Sequence, residues 1–252
     1  MITFYDINDN IQSPVSHSPY CWRTRICLNY KQIAYRTEWV RYNDITAFAK
    51  EKGIPPTAVH SDGSPRYTLP AIYDSDNDSY VSDSFKIAQY LDKKYPDTPR
   101  LVPENTTALH AAWEAMYNPI HGKLAPLLEV AVIAALDPVS AERDKKQAEA
   151  SFKMSWQEIV KAAEPDQEGW KDVEKAVALW LNFLDNRNAT DGEGIWVMGS
   201  QLSFADAVIG GVFLTTKVLW GENSGQWKEV KNWSGGKWAD YIGSLEKYSA
   251  AL

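Results

Sequence analysis

Apolar and polar positions alternate from Ile2 to Ile7, the two-residue period of a half-buried strand. A loop rich in Asn, Ser and Pro runs from Asn8 to Ser18, and then Trp22, Ile26, Cys27 and Tyr30 fall at helical spacing. Ala34 to Val40 reads as a second strand and Asp44 to Lys52 as a short helix. A third strand is predicted over Tyr67 to Tyr73, a turn around Asp76-Asn77-Asp78, and a returning strand at Ser79-Tyr80-Val81. Ser84 to Tyr95 is helical, with Ile87, Ala88 and Leu91 on one face. The predicted order is βαβα followed by ββα.

Past this point the pattern changes. Pro96 to Glu104 holds three prolines and reads as a linker. Beyond it the period is helical almost throughout, with stripes at Leu109, Trp113, Met116 and Ile120 and at Val173, Ala176, Val177, Trp180, Phe183 and Leu184. A further helix is predicted over Ser203 to Thr216. The pattern therefore predicts an α/β domain over residues 1–97, a linker over 98–108 and an all-helical domain over 109–252.

Composition narrows the functional classes. The 252 residues carry 44% apolar and 23% charged side chains, ordinary values for a folded chain. A net charge of −7 argues against nonspecific binding to nucleic acid or an anionic membrane. No apolar run approaches the roughly 20 residues of a membrane span, and the first residues carry no basic-then-apolar signal pattern. A cytoplasmic protein is expected, with the sequons at Asn105, Asn188 and Asn232 unused. Cys21 and Cys27 lie about 9 Å apart along one predicted helix, too far to bridge. The eleven tryptophans suit aromatic-lined pockets as well as cores.

Several kinds of site are absent. There is no phosphate loop, and Gly192, Gly194 and Gly199 lack the spacing of a dinucleotide motif. His17, His60, His110 and His121 show no metal-site pattern, so no metal is expected.

Four local features remain, each with a structural explanation beside a chemical one. Ser18-Pro19-Tyr20-Cys21-Trp22-Arg23 is a favoured N-cap followed by a favoured first helical residue. Leu69-Pro70 places a proline in a strand-like run, which fits an edge position or a cis bond that turns the backbone toward a ligand. Ser82-Asp83-Ser84 opens a helix, where a hydroxyl and free N–H groups suit a carboxylate and Asp83 suits an amine, or where the residues simply cap. Ser203-Phe204-Ala205-Asp206 is a capping-box arrangement whose natural role is structural.

In this order and spacing, Ser-Pro-x-x-x-Arg, Leu-Pro-Ala, Asp-Ser and Ser-x-x-Asp resemble the glutathione transferase family along essentially the whole chain. The fuller stretches around Ser18 and Ser84 are similar to the beta-etherase-related transferases and their fungal relatives. The resemblance implies an N-terminal thioredoxin-like domain, an all-helical C-terminal domain and a homodimer. It makes Ser18 the donor to the glutathione sulfur, with Ser16 and Ser13 as nearby rivals. A free thiol is only about 3% thiolate at pH 7, and a hundredfold shift toward the anion requires roughly 2.7 kcal/mol, within reach of a hydroxyl donor at a helix N-terminus. Leu69 and Pro70 would meet the cysteinyl part of glutathione, and Asp83 and Ser84 its γ-glutamyl ammonium and carboxylate. Lys52 and His60 are candidates for the glycine carboxylate. Trp113, Tyr117 and His121, at spacings of four, would line an apolar electrophile pocket between the domains. The expected activity is attack of the glutathione thiol on apolar or aromatic electrophiles in detoxification, with ether cleavage and peroxide reduction as further reactions open to it; sequestration of aromatic or polyphenolic compounds is the alternative. Retention of Ser18, Asp83 and Ser84 argues against a pure scaffold.

Overall fold

A computed structural model describes residues 1–8, 15–134, 136, 138–164, 167–187 and 194–250. The rival Ser13 and the sequon at Asn188 lie outside the described residues, as do Gly192 and most of the loop after Asn8.

The first half builds a sheet with helices against it. Strands β1 (Ile2–Ile7), β2 (Tyr35–Val40), β5 (Ala71–Asp74) and β6 (Ser79–Ser82) lie in the order β2-β1-β5-β6. β1 pairs parallel with β2, across helix α1 (Pro19–Tyr30), and antiparallel with β5. β6 returns antiparallel beside β5 and leads into α3 (Ser84–Lys94), while α2 (Ile45–Lys52) follows β2. This mixed sheet is the thioredoxin-like arrangement.

Three expectations need correction here. β1 is buried at all six positions rather than on one face, because it is a central strand covered on both sides. Its buried Asp6 is matched by Arg25, whose Nη2 donates at 2.7 Å. The strand expected from Tyr67 starts only at Ala71, after Pro70, which has no N–H to give to a ladder. A small hairpin that the pattern did not suggest, β3 (Ala58–Val59) with β4 (Pro65–Arg66), precedes it.

The second half is helical among the described residues: α4 (Thr107–Ala115), α5 (Tyr117–Ala134), α6 (Pro138–Phe152), α7 (Trp156–Ala163), α8 (Gln167–Arg187), α9 (Phe204–Trp220), α10 (Gly225–Asn232) and α11 (Lys237–Glu246). The stripe from Leu109 to Ile120 is not one face, because the chain breaks helix at Met116 between α4 and α5, leaving Leu109 exposed and Ile120 buried. The α8 stripe does pack, with Val173, Val177, Trp180 and Leu184 buried, although Phe183 stands half exposed. α9 is the central helix, buried from Phe204 through Thr216.

The segment joining the halves is fastened by buried charge. Lys31 Nζ donates to Asp92 at 2.8 Å and to the Pro99 carbonyl at 2.9 Å, and Asp92 accepts the N–H groups of Leu101 and Val102. α1 in turn is wedged against α3 and α9 and is buried from Cys21 to Leu28. A helix covered all round shows little amphipathic stripe. One apolar cluster consequently runs through both halves.

The capping box predicted at α9 is a buried polar knot. Asp206 accepts from Ser203 N–H at 2.8 Å, Ser203 O–H at 2.9 Å, Val197 N–H at 2.7 Å and Tyr241 O–H at 2.6 Å. Burial pushes its carboxyl pKa up against the pull of these donors.

Candidate active site

Ser18 ends an extended stretch and caps α1. Its Oγ accepts the Cys21 N–H at 3.3 Å, and Pro19 occupies the first helical position. An accepting hydroxyl still has its own O–H to donate. Ser18 opens onto a cavity of about 860 Å³ between the two halves, near the top of the roughly 300–1,000 Å³ usual for small-molecule sites. Ser16 does not reach this cavity: its hydroxyl donates to Asp6 at 2.6 Å and its carbonyl accepts the Trp22 indole N–H. Both cysteines are free and buried, and burial, with Asp6 beside it, pushes the Cys21 thiol up, so it stays protonated.

Across the cavity lie Leu69 and Pro70, joined by a cis peptide bond, with Asp83 and Ser84 beyond them. The Asp83 N–H donates to the Pro70 carbonyl at 3.3 Å. Asp83 has φ of 82°, a conformation that a residue other than glycine adopts at a cost and that clusters at ligand sites. Its Oδ1 caps α3, accepting from the N–H groups of Phe85 at 2.9 Å and Lys86 at 3.0 Å. The Ser84 N–H and hydroxyl find no protein acceptor among the described residues, which leaves them for an anion at the positive end of α3.

The structure thus brings Ser18, Leu69, Pro70, Asp83 and Ser84 to one cavity. It does not bring Lys52, whose ammonium sits over the Phe48 ring at 5.8 Å; His60 and Arg66 line the wall instead. Trp113, Tyr117 and His121 also stay off the cavity. The Trp113 indole donates to the Ala205 carbonyl at 3.2 Å and packs edge-on against Phe183. Tyr117 is 1% exposed beneath the Arg23 guanidinium, and the His121 ring lies tilted at its side, centroids 5.0 Å apart. Burial, then the Arg23 charge, holds the His121 imidazole pKa below its ordinary value. No tryptophan among the described residues lines the cavity; Trp180 and Trp238 are fully buried core residues.

The wall facing Ser18 from the helical half is polar where an apolar one was expected. It comes from Glu114 on α4 and from Arg143, Gln147 and Ser151 on α6. Those last three share one face at spacings of four, yet a polar stripe reads in sequence as a solvated face, so no signal marked them. Glu114 is gripped by Arg23, whose Nη1 donates at 2.8 Å. Arg23 is completely buried between the rings of Tyr20 and Tyr117, 4.3 and 4.4 Å from their centroids, a cation–π sandwich. Arg23 had been visible only as part of the serine motif.

Among the described residues no group of three His, Cys, Asp or Glu is placed to hold a metal ion, and no helix is long and apolar enough to cross a membrane.

Comparison with known proteins agrees with this geometry. Residues 17–94 match the family model for the glutathione S-transferase N-terminal domain, and residues 108–248 match that for the C-terminal domain. A glutathione transferase of Phanerochaete chrysosporium is 35% identical in sequence, with a TM-score of 0.90 over 100% of this chain and 99% of its own. A glutathione S-transferase of Ceriporiopsis subvermispora, solved with glutathione bound, is 37% identical with a TM-score of 0.88 over 100% and 98%. A glutathione S-transferase-like protein of Aspergillus flavus is 27% identical over 245 residues, 93% of this chain and 86% of its own. With a thioredoxin-like half, a helical half and a cavity between them that opens on a serine-capped helix, this chain belongs to the glutathione S-transferase family.

Proposed function

We propose that this protein is a serine-type glutathione transferase. The observation that carries the reading is the Ser18 hydroxyl, which caps α1 and opens onto the same cavity as Leu69 and Ser84. Glutathione lies with its γ-glutamyl carboxylate on the Ser84 N–H and hydroxyl, its ammonium toward Asp83 and its cysteinyl peptide along the Leu69 backbone. The glycine carboxylate reaches the wall of His60 and Arg66. Ser18 donates to the sulfur, and with the positive end of α1 it favours the thiolate. The thiolate attacks an electrophilic carbon, and the carbon–sulfur bond forms as the leaving group departs with its electron pair. The polar α6 wall favours aromatic electrophiles that carry hydrogen-bonding substituents.

Calorimetry with glutathione, combined with Ser18→Ala, tests the reading. The variant binds glutathione with little loss, while the pKa of the bound thiol rises and conjugation slows. Absence of saturable binding at millimolar glutathione overturns the proposal, and a larger effect from Ser16→Ala overturns the choice of serine. The homodimer implied by the resemblance is checked by light scattering on a sizing column.

A further inference from the structure

Tyr20 lies two residues past Ser18 in the serine motif and lines the same cavity. Of the tyrosines on that cavity among the described residues, Tyr20, Tyr42 and Tyr67, it is the one carried by the helix that Ser18 caps. A ring attached to a sulfur at Ser18 is therefore close to it. The Arg23 guanidinium carbon sits over the Tyr20 ring, 4.3 Å from its centroid. The Tyr117 centroid lies 5.5 Å from that of Tyr20 and 4.4 Å from the same guanidinium carbon, distances that place Tyr117 on the side of Tyr20 that Arg23 covers. The opposite face of Tyr20 meets neither. With the residue 36% exposed, that face and its edge are what Tyr20 shows to the cavity.

The cation behind the ring is permanent, because arginine stays protonated, and it is completely buried, so salt and water screen it little. Glu114 accepts from Nη1 at 2.8 Å and offsets part of the charge, while Nε and Nη2 have no hydrogen-bond partner among the described residues. The remaining field is felt nearby: burial first, and then this charge, hold the His121 imidazole low. An ordinary tyrosine ring carries negative π density on both faces and stacks best on electron-poor rings. A cation over one face draws that density toward itself and leaves the other face less negative. Electron-rich rings are then the better partners.

Resting on the transferase reading above, we infer that Tyr20, backed by buried Arg23, is the stacking surface for the aromatic ring of the electrophile and selects electron-rich rings, those bearing ether or hydroxyl oxygens, over nitro-substituted ones.

The test is calorimetry with two conjugates made without enzyme, S-(4-methoxybenzyl)glutathione and S-(4-nitrobenzyl)glutathione. The wild type binds the methoxy conjugate about threefold or more tightly than the nitro conjugate, the size expected for a cation acting through one ring. Tyr20→Leu keeps an apolar side chain but no π face, and its affinity ratio falls to near one. Tyr20→Phe keeps the ring and the wild-type order. Arg23→Gln removes the cation, and the order falls to parity or reverses toward the nitro ring; Tyr20→Leu decides the matter if this buried substitution fails to fold. A ratio between two ligands is not moved by a merely structural role. Parity or a nitro preference in the wild type overturns the inference, as does the wild-type ratio persisting in Tyr20→Leu or in folded Arg23→Gln, or its loss in Tyr20→Phe. Binding of glutathione with neither conjugate bound overturns it too, and each of these results leaves the glutathione reading standing. Failure of the wild type to bind glutathione or either conjugate overturns that reading and this inference with it.

Discussion

Gly211 sets how closely α9 approaches the N-terminal end of α1. A Cβ built there lies 2.3 Å from the Pro19 carbonyl oxygen and 3.2 Å from Arg23 Cγ. Relaxed carbon–oxygen contacts lie at about 3.3 Å or more, so Gly211→Ala requires roughly 1 Å of movement. The obstacle is main chain inside a buried helix and cannot rotate aside. Two terms compete. Alanine improves intrinsic helix stability by about 1 kcal/mol over glycine, whereas overpacking a tight contact costs about 1–3 kcal/mol. Overpacking wins, by up to about 2 kcal/mol, and the melting temperature of a chain this size falls by up to roughly 8 °C. The larger consequence is chemical, because the displaced residue is next to Ser18. A misplacement of about 1 Å at a reacting group can lower the rate by about a hundredfold, so kcat/KM should fall by at least about tenfold in molecules that remain folded. Gly210→Ala is the control: its Cβ meets Ile26 Cδ1 at 2.8 Å and Leu245 Cδ1 at 3.0 Å, ends of side chains that can turn away. It keeps turnover within about twofold and its melting temperature within roughly 3 °C. Differential scanning calorimetry and initial rates at saturating glutathione measure both. Gly211→Ala with an unchanged or higher melting temperature and full turnover would refute the reasoning.

Asp206→Ala strips the acceptor from the four donors of Val197, Ser203 and Tyr241, which costs about 3 kcal/mol or more; a large drop in melting temperature with near-normal turnover in folded molecules is expected, and lost activity at unchanged stability would place Asp206 in the active site. Glu129 is pushed up to about 6 by burial, with the Asp144 charge adding to it. Its folded pKa exceeds the unfolded one, so its contribution to stability is full below the unfolded value and is lost as pH rises through about 6. Glu129→Gln should therefore match the wild type near pH 4.5 and exceed it above pH 6, by on the order of 2 kcal/mol, in melting curves across that range; a constant gap would contradict it. Ser18→Cys places a thiol at the positive end of α1, and mass spectrometry of the variant with oxidised glutathione should find a mixed disulfide; an unmodified thiol would count against the site.

The sequence by itself determined everything that the local chain encodes. The serine and proline at 18 and 19 begin a helix because their chemistry suits a helix start, and α1 begins there. The strand at Ile2, the α8 stripe and the Ser203–Asp206 box were legible as elements because each shows a short-range pattern, although the alternation that marked β1 is not its burial, which is complete. The order of these features carried the family and five of the residues now found on one cavity.

What only the tertiary structure decided is which faces meet. Trp113 and Tyr117 have the spacing of a pocket wall, but a break at Met116 and the arrival of Arg23 from α1 turn them into packing. Arg143 and Gln147 have the spacing of a solvated face, yet α6 brings them to the cavity. Glu114 is held at the cavity by a partner 91 residues away in the chain. Gly211 reads as a weak point in a helix until α1 is seen against it. A side chain's direction is set by the rotation of its helix and by what packs there, and period alone fixes neither.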